Sequence, residues 1–158
     1  MGRSRRCPLN GSFAYGIQLP VQSQSTLYTE GWEAGAGPDD LVEIARTADR
    51  SGFAYLAGCD HVAIPRRLAS AMSTVWYDPV ATLSFLAGVT ERVRLLSHVA
   101  VVGLRHPLVT AKQYATLDHL SGGRLILGSA PGTYGRSSRR WGWTSSGGGS
   151  CSTSASTR

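Results

Sequence analysis

Asp60 and His61 stand side by side directly after an apolar run at residues 54–59. An imidazole next to a carboxylate can hydrogen-bond a substrate and move a proton. The plainer reading of the pair is a loop cap followed by a solvated histidine. A second polar group, Ser97-His98-Val99, closes another apolar run that begins at Val93. It reads either as a binding segment or as a strand whose small polar groups satisfy one another. His106 precedes a helix and orders its loop, and His119 sits near a helix C-terminus, where the dipole favours an imidazolium. The histidines and acids show no metal-ligand spacing. G-x-S-x-G and Walker spellings are absent as well.

These residues must be held by regular elements, and the pattern of the chain supplies them. The first strand is expected over residues 13–19, ended by Pro20. A long loop at 21–37 leads to a helix starting at Asp39 or Asp40, where Asp40 and Glu43 have capping-box spacing. Leu41, Ile44, Ala45 and Ala48 form its apolar stripe, and Gly52 closes it. Residues 54–59 make the second strand. A second long loop, 62–77, carries Arg66, Arg67 and Trp76 and is either a substrate lid or a surface excursion. Asp78 as N-cap and Pro79 at the first helical position open the next helix. A third strand spans residues 93–99. The helix after Pro107 places Thr110, Tyr114 and Leu117 at helical spacing, and Ser121-Gly122-Gly123 stops it. Leu125-Ile126-Leu127, ending in Gly128, then reads as a strand apolar on both faces, as parallel strands covered by helices are. Strand, loop and helix recur in a βαβ series, which builds a parallel sheet. No G-x-G-x-x-G follows the first strand, so a barrel is favoured over a Rossmann sheet.

The stretch R-H-P-L-V-T-A-K-Q-Y-A-T-L-D-H-L-S-G-G-R-L-I-L-G, residues 105–128, resembles the luciferase-like monooxygenase family, particularly its branch dependent on the deazaflavin coenzyme F420. The resemblance covers residues 13–128. It implies a (β/α)8 barrel, which needs roughly 250 residues; four parallel strands and three helices make its N-terminal half. It further implies an oxidoreductase that uses coenzyme F420, or alternatively FMN, on a small organic substrate. In such barrels the site forms at the C-terminal ends of the strands. His61 and Asp60 are then the expected catalytic residues, with Ser97, His98 and Val99 binding the cofactor, because the family tends to place an irregular peptide near there. The rival expectation is a barrel fragment with no activity of its own.

Composition narrows the partners. The chain has 158 residues and a formal charge of +6. Residues 8–128, however, hold nine Lys and Arg against ten Asp and Glu. The excess lies at the two ends, so neither nucleic acid nor an anionic membrane is an expected partner of the domain. Cys7, Cys59 and Cys151 have no disulfide or metal spacing. With no apolar run of membrane-spanning length and no hydrophobic leader, a cytoplasmic location is expected. Self-association through an exposed barrel edge is expected too, because a bare strand edge invites another chain.

Residues 1–12 are expected to be a disordered extension and 129–158 a disordered tail. From Ser129 onward there is no Leu, Ile, Val, Phe or Met, and half the residues are Ser or Gly. Such a segment buries too little apolar surface to offset its ordering entropy. Back-translated with permitted codons and read from the third base of codon 128, it yields V-G-A-G-H-V-R-A-E-F-E-A-L-G-V-D-F. That resembles the family's own continuation, so the tail is expected to be out of frame after one lost base.

Overall fold

The computed structural model describes residues 13–131. The expected extension at 1–12 and the tail from 132 lie outside these residues. Four strands, β1 (Gly16–Gln18), β2 (Tyr55–Gly58), β3 (Arg94–Val101) and β4 (Leu125–Ala130), form one sheet in the order β1-β2-β3-β4. Every pair is parallel. The crossovers run through α1 (Pro38–Arg50), α3 (Pro79–Ala87) and α4 (Pro107–Leu120). A fourth, short helix, α2 (Ala69–Met72), lies in the second long loop and was not expected. This is the βαβ series read from the sequence.

Alternation along the strands sorts their two faces. Leu56 and Leu95 are completely buried and pack with Leu83, Leu86, Tyr114 and Leu117 from the helices. Their cross-strand neighbour Leu125 joins the same cluster. The opposite face carries Gln18, Tyr55, Ala57, Leu96, His98 and Ile126, which share registers or alternate with the buried set. That second face is the one a closed barrel would turn inward.

Several boundaries differ from expectation. β1 is three residues long rather than seven, because it pairs only with the short β2. Phe13 and Tyr15 are left 89 % and 71 % exposed. β4 runs to Ala130, two residues into the expected tail, since Ser129 and Ala130 pair with Ala100 and Val101. α1 starts at Pro38, with Asp40 accepting the N–H of Gly37 at 2.8 Å, so the cap lies one turn earlier than expected. The second long loop is no free flap. Its backbone is bonded to the first loop through Gln24 N–H to Val75 O, Thr26 N–H to Ala71 O and Tyr77 N–H to Gln22 O.

The N-terminal ends of the strands are closed by three side chains. Asp49, at the end of α1, accepts the N–H groups of Glu91 (2.8 Å), Arg92 (2.9 Å) and Val93 (2.6 Å) ahead of β3. Arg124 donates to the carbonyls of Ala87, Val93 and Ser121 and to the hydroxyl of Thr90. Asp118 accepts the N–H of Leu125 at 3.2 Å. The arginine of S-G-G-R and the aspartate of T-L-D therefore bind backbone around the start of β4, and the same glycines, Gly122 and Gly123, take positive φ in the turn between them.

Candidate active site

At the opposite end of the sheet the strands release their chains into loops, and here the expected site residues gather. Asp60 follows β2 and is buried. Its carboxylate accepts the N–H of Val101 at 2.8 Å and pairs with both terminal nitrogens of Arg105. Arg105 also reaches Asp78, the N-cap of α3, at 3.2 Å. The hydrogen bonds that the guanidinium donates to Asp60, with the charge of that carboxylate, raise its pKa further above the ordinary range against the effect of burial. One arginine thus ties together the loop after β2, the loop after β3 and the start of α3. Both oxygens of Asp60 are engaged by Arg105, and one of them by the Val101 amide as well.

His61 packs its ring against Trp76, with centroids 4.2 Å apart and planes tilted by 59°. Burial lowers its pKa below the ordinary value, although the charge of Asp60 opposes this. The imidazole is consequently neutral near pH 7, able to accept one hydrogen bond and donate another. The aromatic wall comes from the second long loop, where the indole donates to Met72 O at 3.1 Å.

Ser97, His98 and Val99 lie late in β3 and do not behave as a unit. Ser97 is completely buried on the helix face, and its Oγ donates to the carbonyl of Gly128 at 2.9 Å. Its side chain faces the helices, so only its backbone is open to the inner face. His98 is exposed on that inner face, its Nδ1 3.3 Å from Oε1 of Gln18 in β1. His98 and Val99 are joined by a cis peptide, and the β3–β4 register shifts between Ser97 and Ala100. Gly128 lies opposite the shift, and a Cβ there would fall 2.4 Å from the carbonyl oxygen of Ser97. Only glycine lets the two backbones approach so closely.

A match to the family model described as luciferase-like monooxygenase spans residues 13–143. The chain belongs to the luciferase-like monooxygenase family. It is 33 % identical over 95 residues to 5,10-methylenetetrahydromethanopterin reductase from Methanopyrus kandleri, an alignment covering 60 % of this chain and 24 % of that protein. Identity is 31 % over 96 residues with the oxygenase component of flavin-dependent trigonelline monooxygenase from Acinetobacter baylyi, covering 61 % of this chain and 25 % of the relative. Among solved structures, the coenzyme F420-dependent tetrahydromethanopterin reductase from Methanopyrus kandleri superposes with a TM-score of 0.56 at 27 % identity, over 82 % of this chain and 30 % of that one. The chain spans about a quarter of the length of these curated relatives. The four-stranded sheet is accordingly part of the barrel found in luciferase-like enzymes, whose members are oxidoreductases and monooxygenases.

Gln18 and Arg105 were not singled out as site residues by the sequence. Arg105 lies inside the R-H-P spelling, but its partner Asp60 is 45 positions away, and no local spacing links them. Among the described residues, no group of three His, Cys, Asp or Glu could hold a metal ion, and no helix is long and apolar enough to cross a membrane.

Proposed function

We propose that these strands carry the first half of the site of a flavin- or deazaflavin-dependent oxidoreductase acting on a small organic substrate, with coenzyme F420 as the cofactor and FMN as the alternative. The observation that carries the reading is the shifted register at 97–100, on a strand end where Gly128 withholds a side chain. A flat tricyclic ring fits against bare backbone of this kind, with Gln18 and His98 on the same face to meet its edge. When bound, the cofactor supplies a hydride in the deazaflavin case, or activation of oxygen by reduced flavin.

The chain's own residues then have separate tasks. The peptide between His98 and Val99 backs the ring. Gln18 holds the imidazole of His98, and if its amide oxygen accepts the Nδ1 proton, Nε2 is left as an acceptor for a ligand. His61, neutral and braced by Trp76, bonds the substrate and takes or returns a proton. Asp60 and Arg105 fix the loops from which His61 and β3 emerge.

Four strands provide half of a rim, so the 158-residue chain should bind weakly by itself. Titration of coenzyme F420 fluorescence should show shallow, saturable quenching, weaker again for FMN, and both should vanish in Val99→Asp with an unchanged circular dichroism spectrum. The second reading is a barrel fragment with no activity of its own. Absence of quenching by the wild type with either cofactor would select it.

A further inference from the structure

His61 stands directly before the second long loop, yet what fixes its surroundings comes largely from the first. Residues 22–24 of the first loop lie antiparallel to residues 75–77 of the second. Gln22 O accepts the Tyr77 N–H at 2.8 Å, Gln24 N–H donates to Val75 O at 3.1 Å, and Ser23 bridges Trp76 between them. Trp76 is the residue whose indole packs on the His61 ring. The side chain of Gln22 reaches the end of β2 instead. Its Oε1 accepts the Cys59 N–H at 3.3 Å, and its Nε2 donates to Cys59 Sγ at 3.1 Å. A carboxamide suits that place because it carries an acceptor and a donor on one group. Gln22 is 4 % exposed, so both bonds are made away from bulk water.

Backbone strain marks the same place. Among the described residues, Val21 and Ser73 alone combine a side chain with a positive φ, at 69° and 59°. One directly precedes Gln22, and the other lies three residues before Trp76. A β-branched residue is unfavourable there, and such conformations persist only where the surroundings over-determine them. For Val21 the buried carboxylate of Glu33 does this. Its Oε2 accepts the Val21 N–H at 2.6 Å, while its Oε1 accepts the Glu30 N–H at 2.9 Å. Ser73 has a local tie, its Oγ accepting the Val75 N–H at 3.2 Å.

We propose that Gln22 is a positioning residue for His61, its side chain fixing the exit of β2 and its main chain fixing the indole that walls the ring. The two contacts fall on either side of the imidazole, at Cys59 before it and Tyr77 beside its wall. A residue that only filled space could be leucine, whereas both polar ends of this carboxamide are used. The inference rests on the proton-moving role given to His61 above, and Gln22 itself touches no reacting atom. The charged groups beside the ring are Asp60 and, through it, Arg105 and Asp78. The Cys59 thiol, pushed up to about 11 by burial, stays neutral across the histidine range. Release of ring and wall therefore shows as renewed hydration of the imidazole, which returns its pKa toward the ordinary 6.5.

The test is an NMR titration of the imidazoles in the 158-residue chain without cofactor, with the His61 signal identified by its loss in His61→Asn. Gln22→Met keeps the length of the side chain and the main-chain bond to Tyr77 but removes the carboxamide. Its His61 signal should titrate at higher pH than in the wild type, and should lose part of the ring-current displacement that Trp76→Leu abolishes. Asp49→Asn, which weakens the opposite end of the sheet, should change neither. A Gln22→Met chain with native circular dichroism and an unmoved midpoint would overturn the proposal. An equal shift in Asp49→Asn would overturn it too, because it signals general loosening. Should Gln22→Met fail to fold, Cys59→Ala decides. That variant removes only the acceptor of Nε2 and should still raise the midpoint, and no rise refutes the assignment. Cofactor quenching plays no part in these readings, so the proposed function and the placement of His61 can fail separately.

Discussion

Replacing Asp49 with alanine tests how the N-terminal end of the sheet is held. Its carboxylate accepts three consecutive amides, at 2.8, 2.9 and 2.6 Å. A buried N–H left without a partner costs about 1–3 kcal/mol. Val93 is buried, at 1 % exposure, so its amide would bear that cost in full, whereas Glu91 and Arg92 are exposed and water can reach theirs. The sum for Asp49→Ala is therefore about 3 kcal/mol, a large share of the roughly 5–15 kcal/mol that stabilises a domain. Asp49→Asn keeps one accepting oxygen and should lose about half as much, by the same per-bond figure. Urea denaturation at pH 7, with the slope against urea unchanged, reads both. A loss below about 1 kcal/mol for the alanine variant would mean that water replaces all three bonds, and the clamp would not hold the turn.

The same residue makes a prediction in pH. Burial alone would raise this carboxyl, but the amides of Glu91, Val93 and Arg92, helped by the Arg92 charge, outweigh it and hold the pKa below its ordinary value. The unfolded chain, with a carboxyl near the ordinary 3.9 or so, takes up its proton first as pH falls. The stability due to Asp49 is thus fully present above that value and is lost as pH drops through the lower folded one. Wild type should lose stability over this acid window more steeply than Asp49→Asn. Parallel pH profiles for the two would refute the assignment.

Other outcomes follow from single contacts. Arg105→Leu should cost about 3–5 kcal/mol in urea denaturation, because it leaves Asp60 charged and buried with only the Val101 amide. Gly128→Ala should lower the melting temperature, at a cost of about 1–3 kcal/mol, since the added methyl meets the backbone oxygen of Ser97 and not a side chain that can move. Burial pushes the Cys59 thiol up to about 11, helped by the charge of Asp60, so iodoacetamide at pH 8 should modify it on the order of a hundredfold more slowly than a free cysteine of pKa about 8.5, as peptide mapping would show.

How much of this was legible in the chain depended on how local the cause was. Asp78-Pro79 opens α3 as read, because an N-cap and its helix are neighbours, and Asp78 accepts the Ala81 amide at 3.0 Å. β1 was read too long because its length is set by its partner strand, not by Phe13 or Tyr15 themselves. α2 sits in a loop pinned by bonds to another loop some forty-five residues away, which no window of sequence contains. The direction of the Ser97 side chain was legible but not read. Its parity with Leu95 already put it on the buried face, and alternation alone could have shown that its hydroxyl faces the helices. The reverse holds for His98, whose exposed side follows from the same count.

The two ends of the sheet use charged residues differently, and that difference separates scaffold from site. At the N-terminal end, Asp49, Asp118 and Arg124 direct most of their bonds to backbone groups. Replacing them should change stability and leave the chemistry of a bound ligand alone. At the C-terminal rim, Arg105, in the loop after β3, joins two acids at the two ends of the β2–α3 connection, so its bonds fix one connection relative to the other. The residues left facing inward there, Gln18 and His98, are bonded to each other across β2 rather than to the scaffold. Of the spellings that mark the family in this chain, S-G-G-R and T-L-D therefore describe how β4 is held, and R-H-P describes how the rim is tied. In the site proposed above, the groups that face a ligand, Gln18, His61 and His98, lie outside all three. Family membership can accordingly be read from residues 105–128, while the proposed site draws its ligand-facing groups from β1, β3 and the loop after β2.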